Sequence, residues 1–253
     1  MAGRPISTRY GQLPLPAVCA PLVARTTDAL VEECAAVVAK RADLLEWRVD
    51  FFDRIADPVS VLETARALHM ASAGVPLLFT RRSAREGGEK ISVDEAHVVE
   101  IYDAVCTSGL VDLVDVEMDG DAAQVREVQA VAGQSGAKTV LSFHDFHSTP
   151  TVEELVSRFE RAYTLGADIA KIAVMPRTHA DVLALLSATK RAADELPIPV
   201  VSMAMGPLGA VTRAAGWVFG SAMTFAVGRS SSAPGQMPIE DVRAVIEALR
   251  RAS

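Results

Sequence analysis

Cysteine is scarce here: the 253 residues include three, Cys19, Cys34 and Cys106, an odd number with no C-x-x-C spacing. That pattern excludes a disulfide framework and a structural zinc site. Cys34 and Cys106 fall in apolar, helix-like stretches, where a thiol packs as a small hydrophobe. Free thiols fit a reducing cytoplasm. Positive charge is also in short supply, with 25 basic side chains against 32 acidic ones and a formal charge of −7. No nucleic-acid partner and no anionic-membrane surface are expected, which still leaves room for a local cationic pocket. No uninterrupted apolar run approaches the roughly 18 residues of a membrane span. The stretch 13–24 is broken by Pro14, Pro16 and Pro21 and lacks a basic start, so no signal peptide is expected. Neither G-x-G-x-x-G nor G-x-x-x-x-G-K-S/T occurs, which argues against a dinucleotide-binding unit and a P-loop.

What is present is a hydrophobic half of the chain and a rhythm. Short apolar, β-branched runs recur at 17–21, 44–48, 76–80, 110–117, 139–142, 169–173, 199–203 and 223–227, with helix-like segments between them. Thr27-Asp28, Thr151 and Asp181 stand just ahead of periodic apolar residues, as helix starts do. Eight alternations without a linker or composition break predict an α/β fold. The expectation is a single (β/α)8 barrel spanning 1–253, with segment 4–15 as a short hairpin closing the barrel bottom.

Such barrels carry their active sites at the C-terminal ends of the strands. Polar residues gather at those positions: Glu46-Trp47-Arg48-Val49-Asp50, Thr80-Arg81-Arg82, Asp115-Val116-Glu117, Ser142-Phe143-His144-Asp145, Lys171, and Gly206 to Gly209 with Arg213 beyond. Lys171 is the only charged side chain in the apolar run 169–174. Burial disfavours an ammonium, and an amine with lowered pKa can attack a carbonyl to form a Schiff base. The alternative is a snorkelling lysine with its head in water. His144, at the end of another strand, suits general acid-base work. As a metal ligand it would need Glu46, Asp50 or Glu117, but the nearby lysine would repel a cation, so no metal is expected. His69, His97 and His179 fall in helical or surface contexts, and His147 on a loop.

Strand alternation predicts that Glu46, Arg48 and Asp50 share one face, the barrel lumen, with Trp47 and Val49 on the other. That set reads equally as an internal salt-bridge layer and as polar substrate recognition, and both can hold. In the loop Thr80 to Gly88, Gly87 and Gly88 permit unusual backbone angles, and Glu86 could be presented to orient an imidazole or simply be solvated. After the last strand, 228–236 reads as a loop able to close over a ligand, with a phosphate cradle as the competing reading.

These segments together resemble type I 3-dehydroquinate dehydratase, the Schiff-base enzyme of the shikimate pathway. The resemblance covers nearly the whole chain and rests on Glu46 to Asp50, Thr80 to Gly88, Ser142 to Phe146, Ala170 to Ala173, Met205-Gly206, Arg213 and Ser232 to Gln236. It implies a (β/α)8 homodimer needing no metal or organic cofactor, with 3-dehydroquinate as its small-molecule substrate. Carried over by position, Lys171 resembles the Schiff-base lysine, His144 the general acid and base, and Glu86 the residue that orients His144. Arg213 resembles the anchor of the substrate carboxylate. Glu46, Arg48 and Arg82 match positions that hold ring hydroxyls and line the pocket. Ser232 and Gln236 match the closing loop, while Met203, Met205 and Phe225 match apolar walls. One position departs: Pro21 stands near the place where the family often has a substrate-contacting serine. Two other readings compete with this one, a Schiff-base aldolase or transaldolase of sugar phosphates, and a catalytically silent barrel that binds a polyol acid.

Overall fold

In the computed structural model, which describes residues 3–252, the first element is an antiparallel hairpin of β1 (Ser7–Thr8) and β2 (Gly11–Gln12). Its flanks are apolar, and Leu13 N donates to the Ile6 carbonyl at 2.8 Å. Ile6 and Leu13 are buried in the inner cluster that holds Leu44, Leu113 and Ile169, the opening residues of three later strands. The hairpin therefore stoppers the N-terminal end of the barrel, as expected.

Eight parallel strands follow: β3 (Ala17–Leu22), β4 (Leu44–Arg48), β5 (Leu77–Thr80), β6 (Leu113–Glu117), β7 (Lys138–Asp145), β8 (Ile169–Val174), β9 (Val200–Ala204) and β10 (Met223–Phe225). Their order is β10-β3-β4-β5-β6-β7-β8-β9. Between β9 and β10 the ladder thins to a bridge from Val200 to Ser221. There Ala222 N donates to the Val200 carbonyl at 2.8 Å, and Ser202 N donates to the Ser221 hydroxyl at 3.0 Å. The result is a nearly closed (β/α)8 barrel. The helices α1 (Thr27–Ala39), α2 (Pro58–Ala71), α3 (Glu95–Thr107), α4 (Ala122–Ser135), α5 (Val152–Thr164), α6 (His179–Glu195), α7 (Gly206–Ala215) and α8 (Ile239–Arg251) complete the βα units.

Two apolar layers follow from strand alternation. Outward residues such as Leu45, Trp47, Phe79 and Leu141 join helix side chains in the larger cluster. Trp47 meets Phe52 and Phe79 edge-on, with ring centroids 5.8 and 5.4 Å apart; such pairs add about 0.5–1.5 kcal/mol each beyond burial. Inward residues fill the lumen below the site: Ala17, Cys19, Leu44, Leu78, Leu113, Val140 and Ile169. Cys19, Cys34 and Cys106 are all buried and free.

Several expected boundaries shift. β5 begins at Leu77, β6 at Leu113 and β9 at Val200; β7 continues to Asp145, and β10 stops at Phe225. Beyond Phe225 the chain turns to the returning segment, and Val227 N donates to Met237 O at 2.7 Å. Pro21, which has no N–H, lies beyond the last β3–β10 pair, Cys19 with Phe225, so its missing donor disturbs no ladder there. Two helices start from earlier caps than expected: Thr26 caps α1, and Thr178 caps α6 in a capping box with Asp181. Thr151 caps α5 with Glu154 in the expected manner.

Candidate active site

β8 sits between β7 and β9, and its inward positions are Ile169, Lys171 and Ala173, with Lys171 in register with Ser142. The Lys171 side chain is 4% exposed, so the snorkelling reading is excluded. Its strand offers it no charged neighbour, but other strands do: Nζ donates to Asp115 Oδ2 at 2.8 Å and lies 3.7 Å from Glu46 Oε1. The Phe225 ring stands 4.4 Å from the same nitrogen.

Asp115 gathers its charges because β6 alternates Asp115-Val116-Glu117, turning both acids into the lumen. Oδ1 accepts from Arg82 Nη2 at 2.7 Å and from the Ser142 hydroxyl at 2.6 Å. Burial opposes the anion, but Arg82 and Lys171 outweigh it and hold the carboxyl well below the usual carboxylate range. Arg82 Nη1 also donates to Ser142 at 2.9 Å and to Glu117 at 3.3 Å. Glu117 in turn accepts from the backbone N and the hydroxyl of Ser83, both at 2.7 Å, which fastens the loop after β5 to β6.

That loop delivers Glu86. A short 3-10 turn, Ala84–Glu86, ends at Gly87 with φ +81°, a conformation that disfavours side chains. A Cβ on Gly87 would lie 2.3 Å from the Phe146 ring, so the glycine also lets the loop close against the strand carrying His144. Glu86 Oε2 then sits 2.8 Å from His144 Nδ1. Burial pushes the Glu86 carboxyl up to about 8, with Arg82 opposing. Burial first, then Arg82 and Lys171, hold the imidazole well below its usual value, so His144 is neutral at pH 7. His144 meets Glu86, not the metal-ligand partners Glu46, Asp50 or Glu117 considered from sequence.

The alternation expected through Asp50 stops at Arg48. Residues Val49–Phe51 form a 3-10 turn, so Asp50 is not a strand residue. It folds back to accept two bonds from Arg48, both 2.8 Å, and further bonds from the backbone N–H groups of Arg82 and Glu89. Glu46, still on the strand, accepts from Thr80 at 3.0 Å.

Arg213 is different. It is buried on α7, 1% exposed. Its donors reach only the carbonyls of Phe225 at 3.3 Å and Pro234 at 3.2 Å and the Met203 sulfur at 3.7 Å. Of the three buried arginines among the described residues, Arg48 and Arg82 have carboxylates and Arg213 has none. Burial lowers its pKa to about 10. Such a guanidinium can pair with a carboxylate through two parallel hydrogen bonds.

Most of these groups, though not Asp50, Thr80, Asp115, Glu117 or Ser142, line one cavity at the C-terminal ends of the strands. Lys171, His144, Glu86, Glu46, Arg48, Arg82 and Arg213 line it, with Met203, Met205 and Phe225 as apolar wall and Ser232 and Gln236 at the rim. The rim loop braces itself: the Gln236 carboxamide accepts from Ser232 N at 2.9 Å and donates to its hydroxyl at 3.2 Å. Every residue singled out for the site from sequence thus lines one space, which Gly87, Phe146, Ala173 and Ala233 also border. Pro21 is not part of its lining, though it pairs in register with Glu46. Asp115 and Ser142 were visible at strand ends but carried no assigned role, and Glu117 was weighed only as a metal ligand. The signal for the two acids was their alternate spacing inside a buried strand.

A family model described as type I 3-dehydroquinase matches residues 18–253. The 3-dehydroquinate dehydratase of Albidiferax ferrireducens is 53% identical over 250 residues, covering 99% of this chain and 93% of the relative. That of Shouchella clausii is 50% identical over 250 residues, covering 98% of each. Among solved structures, the 3-dehydroquinate dehydratase of Geobacillus kaustophilus superposes with a TM-score of 0.95 at 46% identity, over 100% of this chain and 98% of that one. A type I 3-dehydroquinate dehydratase from Clostridium difficile, solved with covalently modified comenic acid, gives 0.94 at 35% identity over 99% and 100%.

Proposed function

This chain belongs to the type I 3-dehydroquinase family, and we propose that its cavity carries out that family's chemistry with the residues described above. The reaction is the dehydration of 3-dehydroquinate to 3-dehydroshikimate, a carbon-oxygen lyase step of the shikimate pathway, through a lysine Schiff base. One observation supports it above the rest: a buried amine, a glutamate-tied neutral imidazole and an anion-free arginine share a single cavity.

Arg213 takes the substrate carboxylate, the partner its guanidinium lacks, and thereby sets the ring's orientation. Glu46, Arg48 and Arg82 hold ring hydroxyls from below, and Met203, Met205 and Phe225 cover the apolar ring face. Attack requires the lone pair of Lys171, so one proton must leave Nζ. His144 is the neutral base in the same cavity and can pass that proton to the carbinolamine oxygen, which departs as water. The protonated imine at C3 is an electron sink and acidifies the C2 proton. His144 removes it to leave an enamine, and the resulting imidazolium returns the proton to the C1 hydroxyl as it leaves. One water is lost on one face of the ring, a syn elimination. Hydrolysis of the imine then frees the product and the amine. Glu86, when ionised, accepts from Nδ1–H and so presents Nε2 as the base. The loop bearing Ser232 and Gln236 closes the cavity and keeps water from the imine.

The test is mass spectrometry after borohydride reduction in the presence of 3-dehydroquinate. The reading expects a stable adduct on Lys171 together with the absorbance of the enone product. A sugar phosphate that is trapped where dehydroquinate is not would transfer the site to aldol chemistry. The same family kinship supports a homodimer working in the cytoplasm as one domain over 1–253, which analytical ultracentrifugation of the full chain checks for the dimer. No described helix is long and apolar enough to cross a membrane.

A further inference from the structure

We propose that Asp115 is the counter-ion of the protonated imine: it pairs with the Lys171 nitrogen before reaction, keeps that nitrogen protonated once substrate is attached, and still faces the positive charge when it passes to His144. This rests on the Schiff-base reading above and assigns the electrostatic partner which that reading requires.

The two oxygens of Asp115 divide the work. Oδ1 is held by Arg82 at 2.7 Å and Ser142 at 2.6 Å, which fixes the carboxylate, and Oδ2 accepts from Lys171 at 2.8 Å. The side chain is fully buried, so no water competes for Oδ2. Asp115 is unsuited to act as a base for the lysine, since Arg82 and Lys171 hold its carboxyl well below the usual range despite burial. What a fixed weak base can do is hold charge.

The charge balance fits that role. Ammonium plus ketone gives protonated imine plus water, with one positive charge on the same nitrogen before and after. One N–H survives, able to keep its bond to Oδ2. When the C2–H electrons become the C2–C3 double bond, the imine π pair returns to nitrogen as a lone pair and the charge moves to the His144 imidazole. Asp115 favours that cation too, and His144 in turn helps to keep Asp115 ionised. The anion therefore stabilises both ends of the charge's path.

Other groups face the nitrogen and do not replace it. Glu46 on β4 is 3.7 Å away and is engaged by Thr80. Arg82 opposes a second cation but is matched by Asp115 Oδ1 and Glu117. Cys19 on β3 is kept as a neutral thiol by burial and by Glu46. The Phe225 ring on β10, 4.4 Å away, adds a modest preference for a cation. Arg48 on β4 and His144 on β7 complete the set.

The experiment follows trapping by cyanoborohydride, which reduces protonated imines, as a function of pH, with 3-dehydroquinate and intact-mass detection. An opposite charge this close raises such a pKa by about 1–3 units. Wild-type protein is expected to trap substrate to about 1–3 pH units above the point where the imine of a free alkylamine with the same ketone fails. Asp115→Asn is expected to shift both its trapping profile and its kcat optimum acid-ward by the same interval, and Asp115→Glu to recover part of the shift. A fall in trapping equal at every pH, or an unchanged profile, would mean that Asp115 only shapes the site and would overturn the proposal. Should Asp115→Asn lose its near-ultraviolet circular dichroism, the wild-type comparison decides alone: a profile coincident with the free imine overturns it. Absence of any wild-type adduct at all pH values rejects the Schiff-base reading itself, a result separate from an adduct with an unshifted profile.

Discussion

Arg213 and Arg82 are both fully buried arginines of one cavity, yet their replacement should have opposite consequences. Burial drags Arg213 well below the usual guanidinium range, to about 10, with no carboxylate to offset it. At about 1.36 kcal/mol per pKa unit, its charge costs the substrate-free protein on the order of 3 kcal/mol. Arg213→Met keeps length and apolar bulk and relieves that cost. It also removes hydrogen bonds to two carbonyls, Phe225 and Pro234, each a charged donor's bond worth about 1.5–3 kcal/mol. Set against each other, the two effects leave a net loss of about 0–3 kcal/mol in urea titrations. Arg82→Met instead strips a partner from Asp115 and Glu117, which are both buried and paired with it. Breaking a buried pair from one side costs about 3–5 kcal/mol. Catalysis should rank them differently. Loss of the carboxylate anchor removes about 2–5 kcal/mol of binding, so kcat/KM of Arg213→Met should fall by roughly 30-fold to several thousand-fold. An Arg213→Met protein destabilised as much as Arg82→Met, or one with near-normal kcat/KM, would refute the assignment of an anion-free anchor.

The Glu86–His144 pair predicts an unusual pH dependence of stability. Glu86 has a folded pKa raised from 4.5 to about 8, so its contribution is lost as pH rises through that window. His144 is depressed below 6.5, so its contribution grows as pH rises to 6.5. The two slopes oppose each other below 6.5, and above it the Glu86 loss prevails, so stability should fall by about 1–2 kcal/mol between pH 6.5 and 8. Glu86→Gln should abolish that fall when denaturant midpoints are followed against pH; a wild-type curve rising over the interval would contradict the pair. Lys171→Ala should lose turnover and adduct formation while retaining near-ultraviolet circular dichroism, and His144→Ala should still form the imine but stall at elimination. Normal turnover by either variant contradicts its role. Gln236→Ala should chiefly raise KM, through loss of the brace to Ser232, and an unchanged KM counts against a closing loop.

Much of the site was legible because a barrel converts strand ends into a single place. Lys171, His144, Glu46 and Arg48 stand at or near the ends of apolar runs, and the rule for such barrels collects them whatever their distance along the chain. Glu86 was harder, since a charged loop is usually solvated. Only the Gly87 turn against Phe146 explains why its carboxylate reaches His144. Asp50 was misplaced for a local reason: an alternating pattern continues on paper after the strand has already turned. The pairing of Lys171 was not legible because its partners lie 56 and 125 residues away in sequence, at Asp115 and Glu46.

Periodicity and residue type, local properties of a chain, determined by themselves the number of strands and helices, the inward and outward faces, and which side chains could do chemistry. Partnership was decided only by closure of the barrel. Which carboxylate neutralises Lys171, which fixes His144, and why Arg213 is left without one depend on distances between strands far apart in sequence. At those distances, inside a dry lumen, an ångström decides whether two charges form a pair.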